Sequence, residues 1–451
     1  MTDTSPRAAS AALYRAIWRW HFIAGLLILP FVLILAVTGA IYLFKDEIND
    51  AAYRPLRFVD PATTAPLRPS QITAAALAAH PGTLRAYNPA PAPDRSAEVD
   101  ILGQDGLRDT VYVDPYRGTV LGTLWDGGAA GSPAMFVVRK LHSLDYVGWF
   151  GNRLIEAAAG WMVLLVATGT YLWWPRGSRL GTVRIKATRG RPWWRDLHAV
   201  TGLYTGGFIV FLALTGLPWS GVWGGKFYDY SYALGLGIPD GYWSGAPVST
   251  VPVKDAVDRA PWIMENQPLP LSGATEGPVQ ALDTVVARVE DLGLVPGYGV
   301  TIPGTPEGVF TASVYPDDIT YERVIHLDQY SGAVLYDADL ADLGTLGRWA
   351  EWGISVHMGQ EFGLLNQIVL LLACLAMIAL CLSASVMWWK RRPSGSLGVP
   401  QVPTDWRIPR MLLLMAVAAG LFFPLVGLSM LALAGVELAV HLRNRRRLRM
   451  A

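Results

Sequence analysis

The chain has 451 residues, of which 52% are hydrophobic and only 16% charged, where an ordinary soluble domain has about a quarter of its residues charged. This balance excludes a wholly water-soluble globule and makes membrane lipid the first expected partner. The formal charge of +1, from 37 basic and 36 acidic residues, gives no reason to expect a nucleic-acid partner. Both cysteines, Cys374 and Cys381, fall in one apolar run, so the loops have none to pair in a disulfide and no zinc spacing occurs.

In chain order, residues 1–49 form a basic arm and a first spanning helix, apolar over 22–44. That run is too long to read as a cleaved signal peptide and is expected to be a retained anchor. Residues 50–153 form a first small α/β module, with a helix over 70–79 and strands over 97–102 and 109–121. A second spanning helix (154–174) and a basic loop occupy 154–198, and a third span (199–219) lies within 199–222. A second α/β module follows over 223–363, with a helix at 283–292 and strands at 308–315 and 323–335. Residues 364–392 hold the fourth span, and 393–451 a linker, a hydrophobic segment at 411–440 and a basic tail. The hydrophobic segment is long for one span and short for two, with Pro424 near its middle, so a short helical hairpin is expected.

Basic residues orient the spans, because positive loops stay cytoplasmic. Arg7, Arg15 and Arg19 precede the first span, and Arg176, Arg179, Arg184, Lys186, Arg189, Arg191 and Arg195 separate the second from the third. Lys390, Arg391 and Arg392 follow the fourth. The expectation is a multi-pass protein of a bacterial inner membrane with a cytoplasmic N-terminus and both modules periplasmic.

The chain also matches itself. A shift of 177 residues lays His21 on His198, Gly25 on Gly202 and Thr38-Gly39 on Thr215-Gly216. A shift of 215 lays His142 on His357, Thr168 on Ser383 and Trp173-Trp174 on Trp388-Trp389. The modules repeat as well: Asp114 to Gly118 and Asp328 to Gly332 share an Asp-x-x-x-Gly turn. The fold expected is therefore a polytopic α-helical membrane protein built by tandem duplication of helix–module–helix.

Four of the seven histidines sit at these duplicated places. His21 and His198 lie where the first and third spans leave the cytoplasm, and His142 and His357 precede the second and fourth spans. Two imidazoles complete the axial coordination of a haem iron, so two pairs at two depths suit two haems, held without a covalent attachment motif. Gly25 lies one turn from His21 on the same helix face, and Gly39 lies on that face roughly 27 Å from His21, where each could clear space for a flat ring. Gly202 and Gly216 repeat the arrangement. Ordinary helix packing accounts for such glycines too, and an aromatic belt accounts for the Trp pairs. Arg15, Arg19 and Arg195 could hold propionates at the first pair, and Arg139, Lys140 and Arg153 at the second. His80, His326 and His441 are read as structural or solvated.

With its His-x-x-x-Gly and Thr-Gly spans and the segment Tyr-Leu-Trp-Trp-Pro-Arg at 171–176, the chain resembles the PepSY-associated transmembrane helix family up to about residue 395. The Asp-x-x-x-Gly turns look like PepSY modules. The resemblance implies two b-type haems with His21, His198, His142 and His357 as axial ligands, and an oxidoreductase similar to inner-membrane ferrisiderophore reductases, whose substrate is a ferric chelate in the periplasm. No Gly-rich dinucleotide fingerprint occurs, so a quinol or a separate cytoplasmic reductase is the expected electron donor. No catalytic side chain is expected. The alternative is a haem-free, membrane-anchored PepSY binding or regulatory protein acting on a periplasmic peptidase.

Overall fold

The computed structural model describes residues 6–175, 182–237, 248–257, 260–273, 277–396, 398–399 and 410–450; the expected loop cations Arg176 and Arg179 lie outside them. Four helices among the described residues are long and apolar enough to cross a bilayer: Ala11–Tyr42, Trp149–Trp173, Gly190–Trp219 and Gly363–Trp389. The shortest has 25 residues and spans about 37 Å at 1.5 Å per residue, more than the hydrocarbon core requires.

The chain divides into two units. The membrane unit comprises Met1–Ala40, Lys140–Phe227 and Ile368–Ala451. Its interior is built from small and flexible side chains, Ala24, Ala36, Ala158, Ala159, Ala213, Met162 and Met377 among them. Such residues let helix backbones approach where lipid removes the usual hydrophobic drive for association. The C-terminal hydrophobic segment is two helices, Arg410–Phe422 and Pro424–Met450, that pack on each other. Pro424 opens the second helix, where its missing N–H costs nothing. Near the turn, a Cβ on Gly420 would come within 2.9 Å of the Gly427 Cα, so the two backbones touch and only glycine fits. The hairpin docks on the second spanning helix. Phe423 and Val426 close over Gly160, and Trp161 Nε1 donates to Ser429 Oγ at 2.9 Å.

The sheet unit comprises Ile41–Arg139 and Tyr228–Gln367. Its strands are β1 (Gly82–Asn88), β2 (Ala97–Gly103), β3 (Arg108–Val113), β4 (Val120–Trp125), β5 (Val248–Pro252), β6 (Pro268–Pro270), β7 (Gly299–Thr301), β8 (Val309–Val314), β9 (Arg323–Asp328) and β10 (Val334–Asp339). Eight of them form one antiparallel sheet in the order β10-β9-β8-β7-β1-β2-β3-β4, while β5 and β6 pair separately. Two four-stranded meanders, each preceded by a helix (Pro69–Ala79 and Leu282–Asp291), are thus joined where Ala86 and Tyr87 of β1 pair with Thr301 and Val300 of β7. Both helices pack on one face: Ile72 and Ala76 from the first, Val285, Val286 and Val289 from the second, against Val99, Val111, Val300, Ala312 and Ile325. On β2 the burial alternates, as the strand period of two requires. β8 is buried along its whole length, and Val309 packs with Val253, Val257 and Leu269 from the β5–β6 region.

Three expectations are revised by this sheet. The separate small modules share one continuous sheet. The strands expected over 109–121 and 323–335 are each two strands, folded back at the Asp-x-x-x-Gly segments. β1 and β7, which make the junction, had no sequence signal.

The turns are alike in detail. Asp114 Oδ1 accepts from the backbone N–H of Tyr116 (2.8 Å) and Arg117 (3.1 Å), and Asp328 Oδ1 from Tyr330 (2.9 Å) and Ser331 (2.8 Å). Gly118 and Gly332 then take φ of +68° and +70°, a conformation that L side chains resist. Burial works against ionisation of Asp328, yet the backbone N–H donors, Gly273 included, hold its pKa below the usual value. Asp328→Ala is therefore expected to destabilise the sheet unit by about 1–3 kcal/mol, and Asp328→Asn by less, since it keeps the acceptor for Tyr330 and Ser331 and loses only the one for Gly273. Hydrogen exchange at the Tyr330 and Ser331 amides checks this; unchanged protection in the Ala variant would remove the turn from any structural role.

Candidate functional site

His21 sits on the first spanning helix, and its Nδ1 lies 2.9 Å from Thr168 Oγ1 on the second. His198 sits on the third, with Nδ1 3.1 Å from Ser383 Oγ and 3.3 Å from the Leu380 carbonyl on the fourth. Both rings of this expected pair thus face a neighbouring spanning helix through Nδ1. The partners also correspond, since a shift of 215 residues lays Thr168 on Ser383.

His142 is the last residue of the helix Pro133–His142 and places Nδ1 2.9 Å from Thr38 Oγ1. Its surface is partly open, yet the protein crowded round the ring disfavours the charged form and lowers its pKa to about 4. His357 likewise ends the helix Thr345–His357, but in the sheet unit.

The glycines divide. A Cβ on Gly25 would meet nothing within 4 Å among the described residues, and one on Gly202 only Leu380 Cδ2, at 3.7 Å. One on Gly39 would lie 3.5 Å from His142 Cε1 and 3.7 Å from Cys374 Sγ. Gly216 ends the helix Gly190–Gly216. A further glycine escaped the sequence reading: Gly169, where a Cβ would sit 3.2 Å from His21 Cε1.

The expected propionate partners are largely engaged within the protein. Arg195 pairs with buried Asp196 at 2.8 Å and Lys140 with Asp145 at 2.9 Å, while Arg153 bonds Asn152 and stacks on Trp149. Buried Glu156, on the second spanning helix, accepts from the N–H groups of Val222 and Trp223 and so caps the helix Trp223–Ala233. Of the other histidines, His80 lies 3.1 Å from Asp109. His326 is fully buried, bonded to Thr311 at 2.8 Å and stacked on Tyr336.

Among the described residues no cluster of three or more His, Cys, Asp or Glu could hold a bare metal ion. Paired imidazoles supply two ligands, the number a haem iron takes from protein. The donor set and the open space at Gly25 fit that group, and His21 and His198 are the residues that would hold it.

Four spanning helices and a sheet domain define a multi-pass membrane protein with a soluble domain. The chain belongs to the family of the PepSY-associated TM region, whose sequence pattern matches residues 18–391. No curated protein sequence matches it closely enough for comparison.

The sheet unit carries a second polar cluster that sequence reading did not find. Glu351 is fully buried; one oxygen accepts from the Ile263 N–H at 2.9 Å and the other lies 3.5 Å from the Tyr315 hydroxyl. Glu322, 1% exposed, has no hydrogen-bond partner on either oxygen among the described residues. Burial first, then repulsion from Glu351, raises Glu322 well above the carboxylate range. Burial also raises Glu351, against the hydrogen bond from Ile263. Glu265 is pushed up to about 7 by burial, despite Lys254 and Arg139.

A carboxyl with a raised folded-state pKa adds stability that is complete below its unfolded pKa and is lost as pH rises through the folded one. The sheet unit should therefore lose roughly 1–3 kcal/mol as pH climbs from the ordinary glutamate value of 4.5 through about 7. Glu322→Gln should flatten that slope. Thermal melts across the window check it, and a wild-type melt that rises with pH would contradict the buried neutral carboxyls.

Proposed function

We propose that this protein is a di-haem, b-type electron-transfer protein of a bacterial inner membrane that reduces a ferric chelate, a siderophore complex being the leading substrate, on the periplasmic side. The observation that carries this reading is the seating of His21, His198 and His142. Each ring is held at Nδ1 by a neutral group on another segment of the membrane unit, and Gly169 lies beside His21 and Gly39 beside His142. When bound, b-type haem supplies one-electron redox chemistry at two depths. The chain's own part is to ligate iron through the four histidines, to hold the rings of His21 and His198 between the spanning helices, and to offer the sheet unit as a docking surface for the chelate. One electron converts Fe(III) to Fe(II), which hard oxygen donors hold less tightly, so the iron is released. The electron comes from a quinol or a cytoplasmic reductase.

The same reading takes the chain as a tandem duplication. The matched helix-and-meander halves, the paired Asp turns and the repeated His–hydroxyl contacts support it. The basic clusters before the first span, between the second and third, and after the fourth support a cytoplasmic N-terminus and a periplasmic sheet unit.

Purified protein is expected to give a pyridine-haemochrome ratio of two haems per chain. His142→Ala or His357→Ala should lose one haem and abolish reduction of an external ferric chelate, with membrane insertion intact. A colourless wild type would leave the haem-free regulatory alternative in its place. The glycines give a finer measure. Gly25→Leu should shift the midpoint potential of the His21–His198 haem alone, and Gly39→Leu that of the His142 haem alone. Equal shifts in both haems would mark the glycines as packing residues only.

A further inference from the structure

The hydrogen-bond geometry assigns Thr168, Ser383 and Thr38 as positioning residues that fix His21, His198 and His142 as Nδ1–H tautomers, leaving Nε2 as the nitrogen each ring presents to a metal. The consequence for a haem rests on the functional reading above; the tautomers themselves do not.

The argument is a proton count. Thr168 Oγ1 lies 2.7 Å from the Leu164 carbonyl and 2.9 Å from His21 Nδ1. A hydroxyl has one proton and a carbonyl none. If the proton pointed at the histidine, two oxygen lone pairs would face each other at 2.7 Å. It therefore goes to Leu164, and the oxygen accepts from His21 Nδ1–H. Thr38 repeats the case: its Oγ1 is 2.6 Å from the Ile34 carbonyl and 2.9 Å from His142 Nδ1. Ser383 Oγ is 3.0 Å from the Leu380 carbonyl, and His198 Nδ1 faces both that hydroxyl and that carbonyl. Next to a carbonyl, Nδ1 can only donate.

Three rings on three segments thus carry the same proton on the same nitrogen. The lone pair on Nε2 is what an iron takes. Each acceptor is a neutral hydroxyl or carbonyl, not a carboxylate, so none draws the ring towards imidazolate, and the ligand stays a neutral imidazole. The same bonds tie the first span to the second and the third to the fourth, so ring orientation and helix register are set together.

The test uses full-length protein in detergent with Thr168→Val, Ser383→Ala and Thr38→Val, and Thr168→Ser as the conservative control. Nitrogen-15 NMR of labelled histidine, on haem-free and on reduced protein, reads the tautomer directly. Wild type should show Nδ1–H at His21, His198 and His142. Thr168→Val should lose that state at His21 alone, and Thr168→Ser should restore it. Haem affinity should fall by about 10- to 100-fold at the affected site only, with its midpoint potential shifted and the other haem unmoved. Wild-type rings protonated at Nε2, or Val and Ala variants that keep Nδ1–H and unchanged haem affinity, would overturn the assignment. Protein that takes up no haem would defeat the functional reading, while the nitrogen-15 signals would still decide the tautomers.

Discussion

An imidazole in a helix bundle has lost its water and keeps two nitrogens that need partners. Side chains one turn away on its own helix are mostly apolar here, so the partner must come from a neighbouring segment. In this protein it comes from Thr168, Ser383 and Thr38, hydroxyls already anchored to the carbonyl of the preceding turn. A hydroxyl so anchored has no rotational freedom left to spend, and its oxygen points in one direction. The histidines inherit that direction. Helix register, ring plane and proton position are consequences of a single arrangement, and moving any spanning helix by one residue would break it.

The sheet unit solves a different problem. Each four-stranded meander has one helix to cover one face, and alone would leave β1 or β7 as an open edge with unpaired N–H and C=O groups. Pairing β1 with β7 removes both edges at once and merges the cores, so that Tyr87, Val300 and Ala312 belong to one cluster. The second meander carries the additional β5–β6 cover, which is why β8 is buried throughout while β4 remains largely open. In the second meander burial raises Glu322 and Glu351 above the usual carboxylate range, and in the first it does the same to Asp100 on β2.

Much of this was legible in the chain because it repeats at short range. The four spans follow from apolar length alone, and the helices at 69–79 and 282–291 from their periodicity. The Asp-x-x-x-Gly motif was visible as a turn, yet each turn was read as lying within one strand, since the alternation of apolar residues continues on both sides of it. β1 and β7 were invisible for a plain reason. β7 has three residues and begins with glycine, and on one side its partner lies more than two hundred residues away. The hydroxyls were in view as aligned residues, but their role needs the rotational phase between helices, which no one-dimensional pattern contains. Glu322 and Glu351 read as ordinary surface acids because only the folded packing removes their water.

The glycines show how one residue type can answer two demands along one helix. Gly25 and Gly39 share the helix face of His21, and a sequence argument gives them a single purpose. In the fold they differ. Beside Gly25 there is room for more than a methyl group; at Gly39 the space is taken by the edge of the His142 ring and by Cys374 Sγ. A packing role explains Gly39 without any cofactor, because the imidazole itself needs the approach, and Gly169 does the same for His21. Gly25 is the harder case for packing alone, since a residue kept small to let helices touch should be touched. The first spanning helix therefore carries two kinds of small residue: one that admits the His142 ring, and one beside which a side chain would meet open space.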